Sequence, residues 1–320
     1  MNSTVPVIAC ISLAGIGGSI SILLTLFLIY RHLKHWTHPE GQTFIVRILL
    51  MVPVYSLSSF LSLLLSQHII YFNLVRDCYE AFVLYQFFSL LVYYYDTTSR
   101  DTLDMDNDAQ TGDYLTRLPS RYHPFPCCCL PLIKPGPSFL RTVKQCILQY
   151  VFIKPLLAIV AIVLELFDLY GEGSLYYGKG YMWITFILNV SISISLYALL
   201  LFYDVIQKVI KEHKPLRKLL AIKVLIFFIF WQSLLIEFLH YIRWISMNGG
   251  ILNNTLVCLE MFLLALANLS IFHYAEYRNQ ENPAEWFSLR LAWGAISKSI
   301  FNPSDIVDDT KDAFIPSNKD

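Results

Sequence analysis

Seven stretches of this chain are long and apolar enough to cross about 30 Å of hydrocarbon as helices, and this constrains the fold more tightly than any other feature. They lie near 5–30, 44–66, 78–95, 147–168, 181–203, 219–244 and 254–277, the third being the shortest. Inside a bilayer every peptide group must find its partner within the protein, so only helices or closed barrels cross it. The runs are continuous rather than alternating, which selects helices. Only 15% of the 320 residues are charged, against about a quarter in soluble domains. The predicted class is an all-α membrane protein with seven transmembrane helices. Val5 to Tyr30 is too long for a signal-peptide core and has its positive charges, Arg31 and Lys34, behind it, so it reads as a retained first span.

Orientation follows from the basic residues in the connections. One set of connections holds Arg31 and Lys34, then Arg100, Arg117, Arg121, Lys134, Arg141 and Lys144, then Lys208, Lys211, Lys214, Arg217 and Lys218. The other set holds Arg76 and Lys179, with none between 245 and 253. The first set is predicted cytosolic, which places the N-terminus outside and the C-terminus inside. The sequons beginning at Asn2 and Asn253 then fall on the outer side. The predicted division is a transmembrane domain over 1–277, with a Cys/Pro-rich cytosolic loop within 96–146, and a cytosolic tail over 278–320.

That loop contains "HPFPCCCLPLIKPGP" (123–137). A cytosolic position disfavours a disulfide for Cys127, Cys128 and Cys129. Their adjacency lacks the C-x2-C spacing of tetrahedral zinc, although His123 is near. Juxtamembrane cysteines are acylation targets, so S-acylation pinning the loop to the inner leaflet is the preferred reading. Packing of small, soft side chains under the helices is the alternative.

Ionisable residues inside spans are functional candidates. Arg47, Lys154 and Lys223 lie toward the cytosolic ends of spans two, four and six. Glu80, Glu165, Glu237 and Glu260 lie in the outer halves of spans three, four, six and seven. Lys154, Ala158, Ala161, Glu165 and Asp168 form one helical stripe. Asn189, Ser193, Tyr197 and Asp204 form a second, and Ser233, Glu237, His240 and Trp244 a third. Such stripes suit a polar groove, or equally helix–helix packing. Pro155, next to Lys154, suggests a broken turn beside a cation, as in helices that point polar groups at transported solutes.

Phosphate-loop, zinc-protease and serine-hydrolase motifs are missing from the sequence, so neither ATP-driven transport within this chain nor an enzyme is expected. No cofactor and no metal is called for. The balance of 24 basic and 24 acidic residues gives no reason to expect nucleic acid. In the tail, Pro283 opens a run placing Trp286, Leu289, Trp293, Ile296 and Ile300 on one face, with Arg290 and Lys298 as cations. It predicts an interfacial amphipathic helix over 284–301. The acidic residues from Asn302 onward are expected to be poorly ordered.

Read in order, several blocks resemble one family. They are "RDCYEAFVLYQF" (76–87), "HPFPCCCLP" (123–131), "LRTVKQCILQYVFIKPL" (140–156), "YALLLFYDVI" (197–206), "LLAIKVLIFFIFWQ" (219–232), "IFHYAEY" (271–277) and "IFNPSDIVDDTKDAF" (300–314). On these the chain resembles the organic solute transporter subunit alpha and transmembrane protein 184 family. The resemblance implies a seven-helix protein of the plasma membrane or an endosomal or vacuolar membrane. Some members carry amphipathic organic anions such as bile acids and steroid conjugates by facilitated diffusion. The implied partners are membrane lipids, the solute, and a single-span beta-type subunit or a second copy. The acidic stretch "DTTSRDTLDMDND" (96–108) departs from the family's usual ending of span three.

Two functions are weighed. A facilitative carrier would attract an anionic head group with Arg47, Lys154 and Lys223, with Asn189, Ser193, Glu165, Glu237 and His240 as further groove residues. A seven-helix receptor or endomembrane scaffold without flux shares the topology. Span seven carries "ANLSIFHYAEY" where such receptors carry N-P-x-x-Y.

Overall fold

The computed structural model describes residues 4–65, 69–103, 114–123, 132–171, 178–210, 249–273 and 304–314, with 232, 235, 236, 238, 239, 242, 244 and 294 as isolated positions. The elements are α1 (Thr4–Lys34), α2 (Pro39–Leu49), α3 (Met51–Leu64), α4 (Ile69–Leu103), α5 (Pro137–Leu166), α6 (Gly180–Ile206), α7 (Gly249–Ile271) and α8 (Ser304–Phe314). Five segments are long and apolar enough to cross a membrane: Val7–Lys34, Pro39–Leu64, Pro137–Leu166, Gly180–Ile206 and Gly249–Ile271. The second is α2 and α3 run together through Leu50. The third predicted span, 78–95, lies inside α4, whose tyrosines, Glu80 and Gln86 keep it from that apolar class. The sixth predicted span and the amphipathic helix over 284–301 lie outside the described residues, a few isolated positions apart.

With α2 and α3 taken as one span, the successive spans from α1 to α6 alternate in direction, and their cross-links show it. On α1 the small residues Ala14, Gly17, Gly18 and Ser21 let backbones approach closely, as helices do where lipid gives no hydrophobic drive. Ser21 shares a 2.7 Å hydrogen bond with Ser56 of α3, and Ala14 packs with Leu63 and Cys258. His32, at the far end of α1, bonds the carbonyl of Phe272 just past α7 at 2.9 Å, so α1 and α7 run parallel. Arg47 of α2 donates to Gln86 of α4 at 2.9 Å. The α1–α2 corner closes on the buried Gln42, whose amide donates to the carbonyls of His32 and His35. Gln149 of α5 donates to the Ser191 carbonyl of α6 at 2.9 Å. One end of the bundle therefore gathers Lys34, Pro39, Leu103, Pro137, Ile206 and Ile271. We call this the basic end.

Four expectations are corrected. Pro155 does not break its helix, because α5 runs unbroken from Pro137 to Leu166; one missing N–H is tolerated when neighbouring helices hold the turn. Helix α5 also begins ten residues before the predicted span, so Arg141 and Lys144 are helical rather than loop residues. The sequon at Asn253 lies inside α7, with Thr255 only 3% exposed, not in an outer loop. Finally, part of the acidic tail is folded: α8 packs on α5, burying Ala313 to 1% exposure.

Close packing makes two glycines opposite cases. A side chain at Gly41 would overlap the Tyr93 ring, whereas a methyl at Gly18 would stand 3.7 Å from Cβ of Ser56, an ordinary contact. Gly41→Val should therefore lower stability by about 1–3 kcal/mol through overpacking. Gly18→Ala should be neutral or raise it by up to about 1 kcal/mol through helix propensity. Thermal unfolding of both variants in the same lipid nanodiscs checks the contrast; equal melting temperatures would refute it.

Candidate functional site: an ion cluster between three helices

Lys154 sits on the face of α5 that meets α4. Its ammonium lies 3.2 Å from Oε2 of Glu80 and 3.6 Å from Oδ1 of Asp77, and its side chain is 12% exposed. Asp77 and Glu80 are three residues apart, which brings both to one side of α4. Tyr150, one turn before Lys154, points its hydroxyl at Oε1 of Glu80 at 3.4 Å, and its ring lies 5.9 Å from the ammonium. From α3, Tyr55 closes the cluster, with the Arg76 guanidinium 6.0 Å from its ring centre.

The two carboxylates are unequal. Glu80 is 11% exposed and Asp77 is 34% exposed. Lys154 is thus held by one close, covered carboxylate and one longer, more open one. Chemically this arrangement can keep the lysine charged at bundle depth, and it can exchange the looser anion for another without stripping the cation.

The other predicted site residues are placed differently. Arg47, 2% exposed, donates to Gln86 as a cross-link between α2 and α4 and lies 5.9 Å from the Phe82 ring centre. The hydroxyl of Tyr79 donates to its carbonyl at 2.6 Å. Glu165 is exposed near the end of α5, and Asp168 lies beyond the helix in a left-handed conformation, φ 55°, its carbonyl accepting from Lys179. The expected stripe thus ends well before Glu165.

Asn189 and Ser193 are exposed too, a correction to the groove reading. Asn189 donates to the Thr185 carbonyl at 2.8 Å and Ser193 to the Asn189 carbonyl at 2.6 Å. Their donors are satisfied on their own helix, so they can face outward. The polar pair of α6 that faces α5 is Ser191 and Ser195: Ser191 donates to Oε1 of Gln149 at 3.2 Å, and Ser195 to the Cys146 carbonyl at 2.6 Å. Sequence reasoning missed these two and Gln149, although Ser191 and Ser195 share a face one helical turn apart. In α7, Glu260 accepts a 3.2 Å hydrogen bond from Gln232. Lys223, Glu237, His240, Cys127, Cys128 and Cys129 lie outside the described residues. The base of the cysteine loop is described: Arg121 and Ile133 form an antiparallel bridge. Arg121 pairs with Asp204 at 3.5 Å, and His123 shares a 2.7 Å hydrogen bond with Tyr197.

Long apolar helices of alternating direction, cross-linked by buried polar groups and enclosing an ion cluster, define a multi-pass integral membrane protein. The chain belongs to the family described as Organic solute transporter Ostalpha, which it matches over residues 10–277. It is 35% identical over 267 residues to a transmembrane protein 184 homolog of Dictyostelium discoideum, covering 80% of this chain and 51% of that protein. It is 34% identical over 278 residues to protein LAZ1 homolog 1 of Arabidopsis thaliana, covering 82% of this chain and 57% of that protein. The chain thus spans about half the length of these curated relatives. No solved structure matches it.

Removing Lys154 alone would strand two carboxylates between helices. Lys154→Met should cost about 3–5 kcal/mol, as breaking one side of a buried pair does. Adding Asp77→Asn and Glu80→Gln to it should recover most of the loss. Expression yield and thermal unfolding of the single and triple variants test this; a single variant as stable as the wild type would show that the cluster does not hold the helices.

Proposed function

We propose that the chain is a facilitative carrier of amphipathic organic anions or lipid-like solutes, steroid- or bile-acid-like in shape. The observation that carries this reading is Lys154 with its two unequal carboxylates, in a chain of a family whose description names organic solute transport. Ionisable groups at bundle depth mark solute and ion pathways. The head group of the solute would replace Asp77 on Lys154, while Glu80 keeps the ammonium neutralised. A seven-helix receptor or endomembrane scaffold is the second reading, favoured by the many side-chain cross-links between helices.

Sidedness belongs to the same proposal. The basic residues that end α1 and flank α5 and α6 gather at one end of the bundle, and positive ends face the cytosol. Seven spans, an outer N-terminus, a cytosolic tail and an S-acylated Cys127–Cys129 loop follow. The clamp of Arg121 and His123 on α6 would hold that loop against the inner leaflet of a plasma, endosomal or vacuolar membrane. A single-span beta-type subunit or a second copy is the proposed protein partner.

Sidedness and acylation are tested together. Single cysteines at Gly178 and Gly250 should react with an impermeant maleimide on intact cells, and those at Arg117 and Lys208 only after permeabilisation. Hydroxylamine should release acyl groups from wild-type protein but not from one with Ser at 127, 128 and 129. Reversed labelling removes the orientation; no thioester removes the lipid.

Transport is tested by uptake of labelled estrone sulfate and taurocholate into proteoliposomes holding the purified chain, with and without a candidate single-span subunit. Asp77→Asn should lower KM about tenfold, or about 1.4 kcal/mol, because the solute loses its competitor. Lys154→Arg should keep much of the flux. Folded protein that equilibrates neither probe with either preparation favours the receptor or scaffold reading.

A further inference from the structure

The folded part of the tail makes a specific contact. Asp309 of α8 receives two donors at once: the Tyr85 hydroxyl on Oδ2 at 2.7 Å and the Lys144 ammonium on Oδ1 at 2.7 Å. One turn later the Ala313 carbonyl receives Nε of Arg141 at 2.8 Å and Nε2 of Gln145 at 2.7 Å. Tyr85 comes from the interior of α4 and is 1% exposed. Arg141, Lys144 and Gln145 are spaced i, i+3, i+4, one face of α5. A phenol, an ammonium, a guanidinium and a carboxamide thus present donors side by side. The bonds from Tyr85, Lys144 and Arg141 each involve an ionised group, a kind that is short and strong, and such donors suit carboxylate, sulfate or phosphate.

Tyr85, Arg141, Lys144 and Gln145 belong to helices of the bundle, α4 and α5, whereas the occupant, α8, is a separate helix of the tail of the same chain. Its carboxylate reproduces the head group of a free anion, and Ile306 packs against the core beside it, as the apolar body of an amphiphile would.

We propose that Tyr85, Arg141, Lys144 and Gln145 form an anion site for an amphipathic carboxylate, sulfate or phosphate, and that α8 is its tethered competitor. Tail docking and anion binding exclude one another at this site. A tethered ligand acts at an effective concentration of about millimolar, so only an anion that binds well or is concentrated in the membrane displaces it. The site is separate from Lys154 and its binding can be measured without any flux.

The test uses the full chain in nanodiscs of neutral lipid, with amide hydrogen exchange of residues 304–314 as the docking signal and labelled decanoate as the probe. Decanoate should lower protection of α8 in the wild type in a saturable manner. Asp309→Asn should lower that protection about tenfold and tighten decanoate binding about tenfold. Adding Lys144→Gln to Asp309→Asn should abolish the specific binding. A charge-swapped chain, Lys144→Asp with Asp309→Lys, should keep α8 docked and bind no decanoate, which separates lost recognition from lost folding. A second arm replaces decanoate by nanodiscs containing phosphatidylglycerol; release of α8 there and not with decanoate identifies a lipid headgroup as the ligand of the same site. If neither anion alters α8 protection and Asp309→Asn binds decanoate no more tightly than wild type, α8 is a fastener and the proposal is wrong.

Discussion

A lysine held between helices in a bilayer has to be neutralised where it stands, and the pairing of Lys154 with Asp77 and Glu80 fixes how α4 and α5 meet. Once that face of α5 is committed, the helix has no rotational freedom left. Residues Val143, Ile147 and Tyr150, on the same side as Lys154, become core. Cys146 and Gln149 turn toward Ser191 and Ser195 of α6. Arg141, Lys144 and Gln145 are left on the remaining side, where α8 binds. Three interfaces thus follow from one electrostatic requirement. A slip of one residue in α5 would carry every one of these groups away from its partner by about 100°.

The remaining side of α5 has two environments along its length. Toward Leu166 it exposes Phe152, Leu156, Ile159 and Val163, each between 45% and 60% exposed, as a lipid-facing surface should. Toward Pro137 the same side carries Arg141 and Gln145, and there α8 covers it. The tail helix therefore lies where acyl chains and headgroups would otherwise lie. This explains why a segment with two apolar contacts and several acidic residues is folded at all: its carbonyl and carboxylate satisfy donors that lipid tails could not.

The membrane class and most span positions were legible in the sequence because hydrocarbon thickness leaves so little choice. The C-terminal ends of α1, α3, α5 and α6 fall within about five residues of the hydropathy reading, whereas α5 begins ten residues early and α4 extends well beyond its predicted span at both ends. The face assignments were legible for α5 up to Ala161 and misleading for α6. Asn189/Ser193 and Ser191/Ser195 have the same periodicity, and only the structure shows which pair bonds across and which bonds back to its own i−4 carbonyl. Lys154 is legible as an intramembrane cation, yet its partners are not: Asp77 falls one residue before the predicted third span, and Glu80 enters only as one of four carboxylates in the outer halves of spans. Docking of α8 was hidden for a different reason. Its partners, Arg141 and Lys144, had already been explained as positive-inside charges, and an acidic stretch with so few apolar residues carries no signal of burial.

The same chemistry occurs at both lysines of α5. Lys144 holds the carboxylate of Asp309, and Lys154 holds those of Asp77 and Glu80, so each ammonium meets a carboxylate supplied by the chain. Under the carrier reading this has an energetic consequence. Moving an organic anion onto a bare buried ammonium would first require that ammonium to exist unpaired, at a cost of several kcal/mol for an uncompensated charge. Exchanging one carboxylate for another avoids that state: the cation stays paired throughout, and only the displaced side chain must reach water or headgroups. Asp77, 34% exposed, and Asp309, 27% exposed, are each open enough for such a departure, whereas Glu80 at 11% is not. Under that reading the exchangeable anions would be the two aspartates, and Glu80 would be the fixed counter-charge that keeps Lys154 paired during the exchange.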